Sequence, residues 1–350
     1  MRQILVVDDQ IPLISDLVQG CEVICAEASE ISNAFLLEHR ATALIVRSTT
    51  KVTYELLRDT NVCFVGSATA GMDHVESDLL CDRNIRVVGA PGCNANAVAE
   101  YVMIWLDALN IEKTRTLGII GFGNVGQRLA RYAIARGHRV YVNDPPLADI
   151  GYQFPEQVQH VSLEQLLTES TVVSLHTPMI RDGAYKTQHL INRDNITLLQ
   201  QRTLLINSAR GGIVDESTML ESINEGKLSC VLDVFEGEPM LRRETIDAVA
   251  HCTPHIAGYS QTAKYQGALM VLKAFRAHTG IAFDIPEVSE IATSTATSAD
   301  DASIVTNHPF RDAWMSNPTP QTFENCRRLT PLRNEHMQPP TWEELDGHHT

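Results

Sequence analysis

Short apolar runs alternate with stretches of helical periodicity along most of this chain. The apolar runs have the length of buried strands, and they lie at about 3–8, 43–47, 62–66, 85–89, 172–175, 203–206 and 229–234. The helical stretches lie between them, at about 28–40, 75–83, 163–168, 193–200 and 217–225. Strands that alternate with helices are typical of parallel sheets joined by right-handed crossovers. The pattern therefore predicts an α/β protein of the doubly wound kind.

One strand–helix–strand unit in this pattern contains a specific motif. The apolar run Thr116–Ile120 leads into Gly-Phe-Gly-Asn-Val-Gly at 121–126, and helical spacing follows over 127–136. A second strand at 139–143 ends directly before Asp144. A lone G-x-G-x-x-G is a weak signal, but strand, glycine turn, helix, strand and terminal acid in about thirty residues predict a dinucleotide site. The alternative is a glycine-rich turn without a ligand.

The residues of the motif have separate physical roles. Gly121 permits a tight turn, Gly123 lets the backbone approach a pyrophosphate, and Gly126 lets the helix pack closely on the strand. The helix start, with Asn124 and Val125, offers backbone N–H groups and a partial positive charge to phosphates.

Asp144 bears on the choice of cofactor. Its carboxylate can accept hydrogen bonds from both hydroxyls of the adenosine ribose, and it would repel a 2′-phosphate. We therefore expect NAD rather than NADP.

Composition and charge narrow the class of protein. The 350 residues suggest two or three domains, and the formal net charge of −15 disfavours nucleic acid or an anionic membrane as the main partner. No apolar run is long enough to span a membrane, and the N-terminus resembles a strand rather than a signal peptide. The eight cysteines form no C-x-x-C pair. We therefore expect no metal site, no disulfide framework and a location in the reducing cytoplasm.

The late position of the dinucleotide motif suggests nested domains. We predict a substrate domain from 1–95 and 255–284, around an NAD-binding domain at 96–254. Active-site residues at the carboxyl ends of strands would face a cleft between the two. Residues 285–350 are rich in proline and polar residues, with little apolar periodicity. We predict a poorly packed or partly disordered extension there.

Three segments downstream of the motif place reactive side chains after predicted strands. Arg210 and Glu238 each follow such a strand, and His255 lies in Thr-Pro-His-Ile-Ala-Gly-Tyr. An arginine can bind a carboxylate with its planar fork. A histidine can take a hydroxyl proton while hydride leaves the same carbon, and a carboxylate can orient it. Each residue alone could have a purely structural role in its turn or loop. The occurrence of all three in this order favours a catalytic role for them together.

These motifs resemble those of the D-2-hydroxyacid dehydrogenases. The family's G-x-G-x-x-G, N-x-x-R-G, D-V-x-x-x-E-P and H-I-x-G occur here in the same order, and the resemblance covers about residues 1–280. One subfamily is similar at 46–51, 68–74, 90–95, 144–149, 176–187, 236–239 and 255–259, and Arg-Ser-x-Thr-Lys, Asp-Pro-Pro and His-Ile-Ala-Gly-Tyr within these stretches narrow the resemblance to it. The resemblance implies two Rossmann-like doubly wound domains, a substrate domain and an NAD-binding domain, followed by a short, divergent C-terminal extension.

The resemblance also implies residue roles. It identifies Arg210, Glu238 and His255 as catalytic, with His255 as the group that accepts and donates the proton. The cofactor contacts that it implies beyond the glycine motif are Asp144, Thr177, Asp233 and Gly258. The substrate contacts that it implies are Ser48, Thr69 and Tyr259.

Ser48 and Thr69 also make sense from the residues themselves, because both are hydroxyls in turns at strand ends. With Arg47 or Lys51 they could bind a phosphate that the smaller 2-hydroxy acids lack. The alternative is that Arg47 and Lys51 are solvated residues of a turn and bind no phosphate.

By resemblance, the expected reaction is the NAD-dependent oxidation of 4-phospho-D-erythronate, a step in pyridoxal 5′-phosphate biosynthesis. The alternatives are another enzyme of the family, acting on 3-phosphoglycerate, glyoxylate or hydroxypyruvate, and an NAD-sensing binding protein. The resemblance implies a C-terminal dimerisation domain, and we expect the polar extension at 285–350 to be a reduced form of it. We expect a homodimer, and we expect removal of this extension to spare the chemistry.

Overall fold

The computed structural model describes residues 3–76, 83–287, 301–335 and 338–346, which fall into two compact units. The first unit consists of residues 1–94 and 259–298, and the second of residues 95–258 and 299–350. His255 therefore lies in the second unit, whereas the sequence placed it in the substrate domain. Most of the predicted helix at 75–83 and the tail stretch 288–300 lie outside the described residues.

Five parallel strands form the sheet of the first unit, in the order β2-β1-β3-β4-β5. They are β1 (Ile4–Asp8), β2 (Glu22–Ala26), β3 (Ala43–Val46), β4 (Phe64–Ser67) and β5 (Arg86–Val88). β1 and β3 are buried along almost their whole length, which is why they appear as continuous apolar runs. The edge strand β2 has one buried residue, and the apolar pattern did not reveal it.

Seven parallel strands form the sheet of the second unit, in the order β12-β11-β10-β9-β6-β7-β8. They are β6 (Thr116–Ile120), β7 (Arg139–Asn143), β8 (Gln159–His160), β9 (Val172–Leu175), β10 (Thr203–Asn207), β11 (Leu228–Leu232) and β12 (His251–Cys252). This is the order of a doubly wound dinucleotide-binding sheet, and the predicted fold class is confirmed. The strand order reverses between β6 and β9, so their carboxyl ends mark the expected ligand position.

Helices connect the strands in both units. In chain order they are α1 (Ile14–Leu17), α2 (Asn33–Glu38), α3 (Tyr54–Leu57), α4 (Ala95–Ala108), α5 (Asn124–Ala135), α6 (Pro145–Asp149), α7 (Leu163–Glu169), α8 (Glu216–Asn224), α9 (Arg243–Ala248), α10 (Gln261–Thr279), α11 (Asp301–Thr306), α12 (Phe310–Ser316), α13 (Pro320–Leu329) and α14 (Trp342–Asp346). Among the described residues, none of these helices has the length and apolarity needed to cross a bilayer.

The helix predicted at 193–200 is wrong, because the structure has only a 3₁₀ turn at Ile196–Leu198. Two Asn side chains cap the start of this turn. The Asn195 side chain accepts from the N–H of Asn192 at 2.9 Å, and the Asn192 side chain accepts from the N–H of Asp194 at 2.9 Å. These are the bonds of a helix N-terminus, and the turn ends after one round because Leu199 is extended, with ψ of 139°.

The C-terminal segment is folded where the structure describes it, and this corrects the prediction of a poorly packed extension. Phe310, Trp314 and Phe323 are fully buried and belong to the apolar core of the second unit. The Phe310 ring centroid lies 6.0 Å from that of Phe235, which is close in sequence to Glu238. Phe310 and Trp314 are one helical turn apart on α12, but the core residues that they pack against are distant in sequence, so the local pattern does not reveal this contact.

Candidate active site

His255 and Glu238 form a hydrogen-bonded pair after the last two strands of the second unit. His255 Nδ1 lies 2.8 Å from Glu238 Oε2, and the other carboxylate oxygen accepts from the N–H of Phe235 at 2.6 Å. Both side chains are partly exposed, at 33% and 21%. With Nδ1–H donated to a carboxylate, Nε2 of the neutral imidazole is an acceptor. The pair therefore has the arrangement of a general base held by an acid.

The loop that contains His255 is bound to a buried carboxylate. Asp233 Oδ1 accepts from the Thr253 hydroxyl at 2.6 Å and from the N–H of Ile256 at 2.7 Å, and Oδ2 accepts from the N–H of Ala257 at 2.8 Å. Burial raises the pKa of Asp233, while the nearby His255 and these hydrogen bonds oppose that rise. Asp233, which the sequence assigned to the cofactor, thus holds the 253–258 loop.

His255 itself has a left-handed backbone, with φ of 58°. Its N–H donates to the carbonyl of Asp233 at 2.7 Å. A residue with a Cβ keeps such a conformation only where its surroundings hold it. The Asp233 contacts therefore bear directly on where the imidazole points.

Tyr101 and Thr253 extend this network and were not among the predicted site residues. The Tyr101 hydroxyl lies 2.7 Å from Thr253 Oγ1, inside the second unit. Burial raises the pKa of Tyr101 well above its ordinary value, so the phenol stays protonated. Thr253 stands two residues before His255 in the motif, which is a sequence signal, but nothing in the sequence marks Tyr101.

Arg210 follows β10 at the same edge of the sheet as the His255–Glu238 pair, because β10 and β11 are neighbours. Its Nη1 donates to the carbonyl of Ala209 at 2.8 Å, and its own carbonyl accepts from the Asn207 side chain at 2.9 Å. A Cβ on the next residue, Gly211, would lie 2.0 Å from the carbonyl of Phe235. The glycine is thus required for the Arg210 turn to approach the loop that leads to Glu238.

The glycine motif has the shape expected for a pyrophosphate loop. A Cβ at Gly126 would lie 2.0 Å from the carbonyl oxygen of Gly121, so the helix start packs tightly against the turn. A Cβ at Gly123 would have no heavy atom within 4 Å, which leaves open space over the loop. Helix α5 begins at Asn124 without a side-chain cap, so its first N–H groups can serve a phosphate.

Asp144 and Thr177 complete a site that fits NAD. Asp144 accepts from the N–H groups of Phe122 and Leu147, at 2.7 and 3.1 Å. A carboxylate has about four acceptor positions, so capacity for ribose hydroxyls remains. Thr177 Oγ1 is buried without a hydrogen-bond partner among the described residues, and its Cγ2 lies beside Gly121. A buried hydroxyl of this kind fits a ligand atom at the β6–β9 reversal.

The first unit presents its own predicted contacts at the carboxyl edge of neighbouring strands. Ser48 follows β3 and is exposed, and Thr69 follows β4. Thr69 Oγ1 lies 2.8 Å from Ser67 Oγ and donates to the carbonyl of Gly71 at 3.1 Å. Arg47 Nε lies 3.0 Å from the buried carboxylate of Asp8, so Arg47 is held in place.

Tyr259 begins the second stretch of the first unit, directly after Gly258. The ammonium of Lys264 lies 6.0 Å from the centroid of the Tyr259 ring. Burial lowers the pKa of Lys264, and the charge of Arg47 lowers it further. Lys264 is thus a second cation near Arg47 that the sequence did not single out. Lys51 is exposed.

Known proteins are similar to this chain in sequence and in fold. Residues 106–257 match the family described as D-isomer specific 2-hydroxyacid dehydrogenase, NAD binding domain. The chain is 42% identical over 284 residues to an erythronate-4-phosphate dehydrogenase of Escherichia coli O157:H7, covering 79% of this chain and 73% of the relative. It is 44% identical over 239 residues to the Proteus mirabilis protein of that name, covering 67% and 63%. The D-lactate dehydrogenase of Aquifex aeolicus, solved with NAD and lactic acid, has a TM-score of 0.61 at 25% identity, covering 81% of this chain and 100% of that chain.

The chain therefore belongs to the D-isomer-specific 2-hydroxyacid dehydrogenase family. It is an NAD-dependent dehydrogenase that acts on a CH–OH group, and the predictions of family, enzyme class and cofactor are confirmed. Within the family, its relatives include erythronate-4-phosphate dehydrogenases.

Asp144→Ala is expected to weaken NAD binding and erode the preference for NAD over NADP. The variant loses the ribose acceptor, and a like charge no longer opposes the 2′-phosphate. The measurement is the Kd of each cofactor, with Asp149→Ala, in the helix that Asp144 caps, as a matched control. Equal binding of NAD and NADP by the unchanged protein would show that Asp144 does not face the ribose.

Proposed function

We propose that this enzyme oxidises 4-phospho-D-erythronate at C2 to (R)-3-hydroxy-2-oxo-4-phosphooxybutanoate, in the route to pyridoxal 5′-phosphate. The observation that supports the chemistry best is the 2.8 Å contact between His255 Nδ1 and Glu238. The choice of substrate is supported by the relatives named erythronate-4-phosphate dehydrogenase, at 42% and 44% identity.

In this proposal, His255 Nε2 takes the proton of the C2 hydroxyl as hydride leaves C2. Glu238 holds Nδ1–H and stabilises the imidazolium that forms. Arg210 binds the substrate carboxylate, since its guanidinium matches two oxygens and is always charged. Bound NAD supplies the hydride acceptor. We assign its binding to the glycine motif with Asn124 and Val125, and to Asp144, Thr177 and Gly258; a cofactor contact of Asp233 stays a prediction.

The first unit supplies the groups that we assign to the phosphate. Ser48 and Thr69 offer hydroxyls, Arg47 offers a cation fixed by Asp8, and Tyr259 is a further substrate contact. Small unphosphorylated 2-hydroxy acids do not need this set. We further propose that the protein is a homodimer and that it works in the cytoplasm. A measurement of its mass in solution tests the proposed dimer.

The test of the function is NADH formation with 4-phosphoerythronate, compared with 3-phosphoglycerate and D-lactate at equal concentration. We expect kcat/KM to be highest for 4-phosphoerythronate. Higher kcat/KM with 3-phosphoglycerate, or reduction of glyoxylate or hydroxypyruvate with NADH at a higher kcat/KM, would assign the chain to another activity of the same family.

Ser48→Ala and Thr69→Val are expected to lower kcat/KM for the phosphorylated substrate by about ten- to a hundredfold each. A hydrogen bond to a charged group contributes about 1.5–3 kcal/mol. The measurement is kcat/KM on phosphorylated and unphosphorylated substrates, with the exposed Ser29→Ala as control. An equal loss on both substrate types would refute the phosphate assignment.

A further inference from the structure

Arg333 is a buried arginine in the C-terminal segment, with 2% of its surface exposed. It lies well beyond the family match, which ends at residue 257. Its Nη2 donates to the carbonyl of Ala97, in the first turn of α4, at 3.0 Å, and also to the carbonyl of Ala257. A guanidinium far along the chain thus reaches the loop that contains His255.

The charges around Arg333 explain why a cation is tolerated there. Burial lowers its pKa, whereas Glu100, Asp233, Tyr101 and Glu335 oppose that change. The guanidinium carbon lies 5.9 Å from the centroid of the Tyr101 ring, a cation–π distance. A buried charge is costly unless it is paired and hydrogen-bonded, so these contacts serve to keep Arg333 in one position.

Ala257 is held from both sides of its backbone. Its N–H donates to Asp233 at 2.8 Å, and its carbonyl accepts from Arg333. Ala257 stands two residues after His255, whose φ of 58° needs support from its surroundings. Asp233 and Arg333, opposite in charge, thus hold the two polar groups of one residue in the loop.

The same segment also packs on the glycine motif. The Trp342 ring centroid lies 6.2 Å from that of Phe122, and Arg131 donates to the carbonyl of Pro340 at 3.2 Å. The C-terminal segment therefore contacts both the glycine motif and the 253–258 loop of the second unit.

We propose that Arg333 is a positioning residue: by binding the carbonyl of Ala257, it fixes the 253–258 loop so that His255 points at the substrate hydroxyl. The role of His255 rests on the proposed function, but the restraint on the loop does not. Because misplacement by about 1 Å can cost about a hundredfold in rate, the contact matters for turnover more than for binding.

The test compares Arg333→Met and Arg333→Lys with Arg328→Met, an exposed arginine of the same segment. We expect Arg333→Met to lower kcat by about 10- to 100-fold, with the KM for NAD changed by less than about twofold. With substrate deuterated at C2, the isotope effect on kcat should rise, because hydride transfer becomes slower than product release. The lysine variant retains the charge and can reach a single carbonyl, so its kcat should be intermediate.

Amide hydrogen exchange provides a readout independent of activity. The Ile256 and Ala257 amides should exchange at least about tenfold faster in Arg333→Met and not in Arg328→Met, whatever the substrate of the enzyme is. If Arg333→Met does not fold, the same comparison is made with Arg333→Lys. Unchanged exchange in this loop, or an equal rise throughout the second unit, would overturn the proposal. A wild type inactive on every 2-hydroxy acid would instead refute the proposed function.

Discussion

His255→Ala is expected to lower kcat for substrate oxidation by about 10²- to 10⁴-fold, while the Kd of NAD stays unchanged. The variant removes the group that would take the hydroxyl proton, and the glycine motif with Asp144 is untouched. The measurements are steady-state kcat and the titration of NAD against the variant. An unchanged kcat would remove His255 from the mechanism.

Glu238→Gln is the companion to that variant. Glu238 accepts from the Phe235 N–H with one oxygen and faces His255 Nδ1 with the other. A glutamine has a single acceptor oxygen, so it can satisfy only one of them, and kcat should fall with little change in volume. Glu236→Gln is the matched control, because Glu236 contacts His189 at 3.0 Å instead. Equal losses in the two glutamine variants would argue against a special role for Glu238.

Trp314→Ala is expected to reduce the free energy of unfolding of the second unit by about 3–5 kcal/mol, the usual cost of removing a buried large aromatic side chain. Trp314 is fully buried, and its ring centroid lies 6.3 Å from that of Phe310. The measurement is urea unfolding followed by the fluorescence of Trp105 and Trp342, both in the second unit.

Leu329→Ala is the control for Trp314→Ala. Leu329 is in the same segment but is 72% exposed, so its removal should change the free energy of unfolding by less than about 0.5 kcal/mol. Similar small effects of both variants would mean that the C-terminal helices do not stabilise the core. The packing of this segment also changes what we expect from its removal. Removal would delete the buried Phe310, Trp314, Phe323 and Arg333, so we now expect it to impair the enzyme rather than to spare the chemistry.

Much of the fold and of the candidate site was predictable from local sequence. Strands such as β6 and β9 are buried on both faces, so they appear as uninterrupted apolar runs. The glycines at 121 and 126 occupy positions where a Cβ would meet backbone atoms. Glycine is therefore required at both positions for steric reasons, and this requirement is visible in the sequence as the motif. Arg210, Glu238 and His255 follow strands of one sheet, and parallel strands bring their carboxyl ends to a single edge.

Only the tertiary structure decided the contacts that join distant parts of the chain. Arg333 and Ala97 are 236 residues apart, and the aromatic side chains of α12 and α13 pack against core residues that are far away in the chain. Nothing in the local sequence distinguishes a buried arginine from an exposed one, because burial depends on which carbonyls and acids the folded chain brings near it. The same holds for Asp233: its spacing within a motif marks it as functional, but the three donors of the 253–258 loop determine which group it binds.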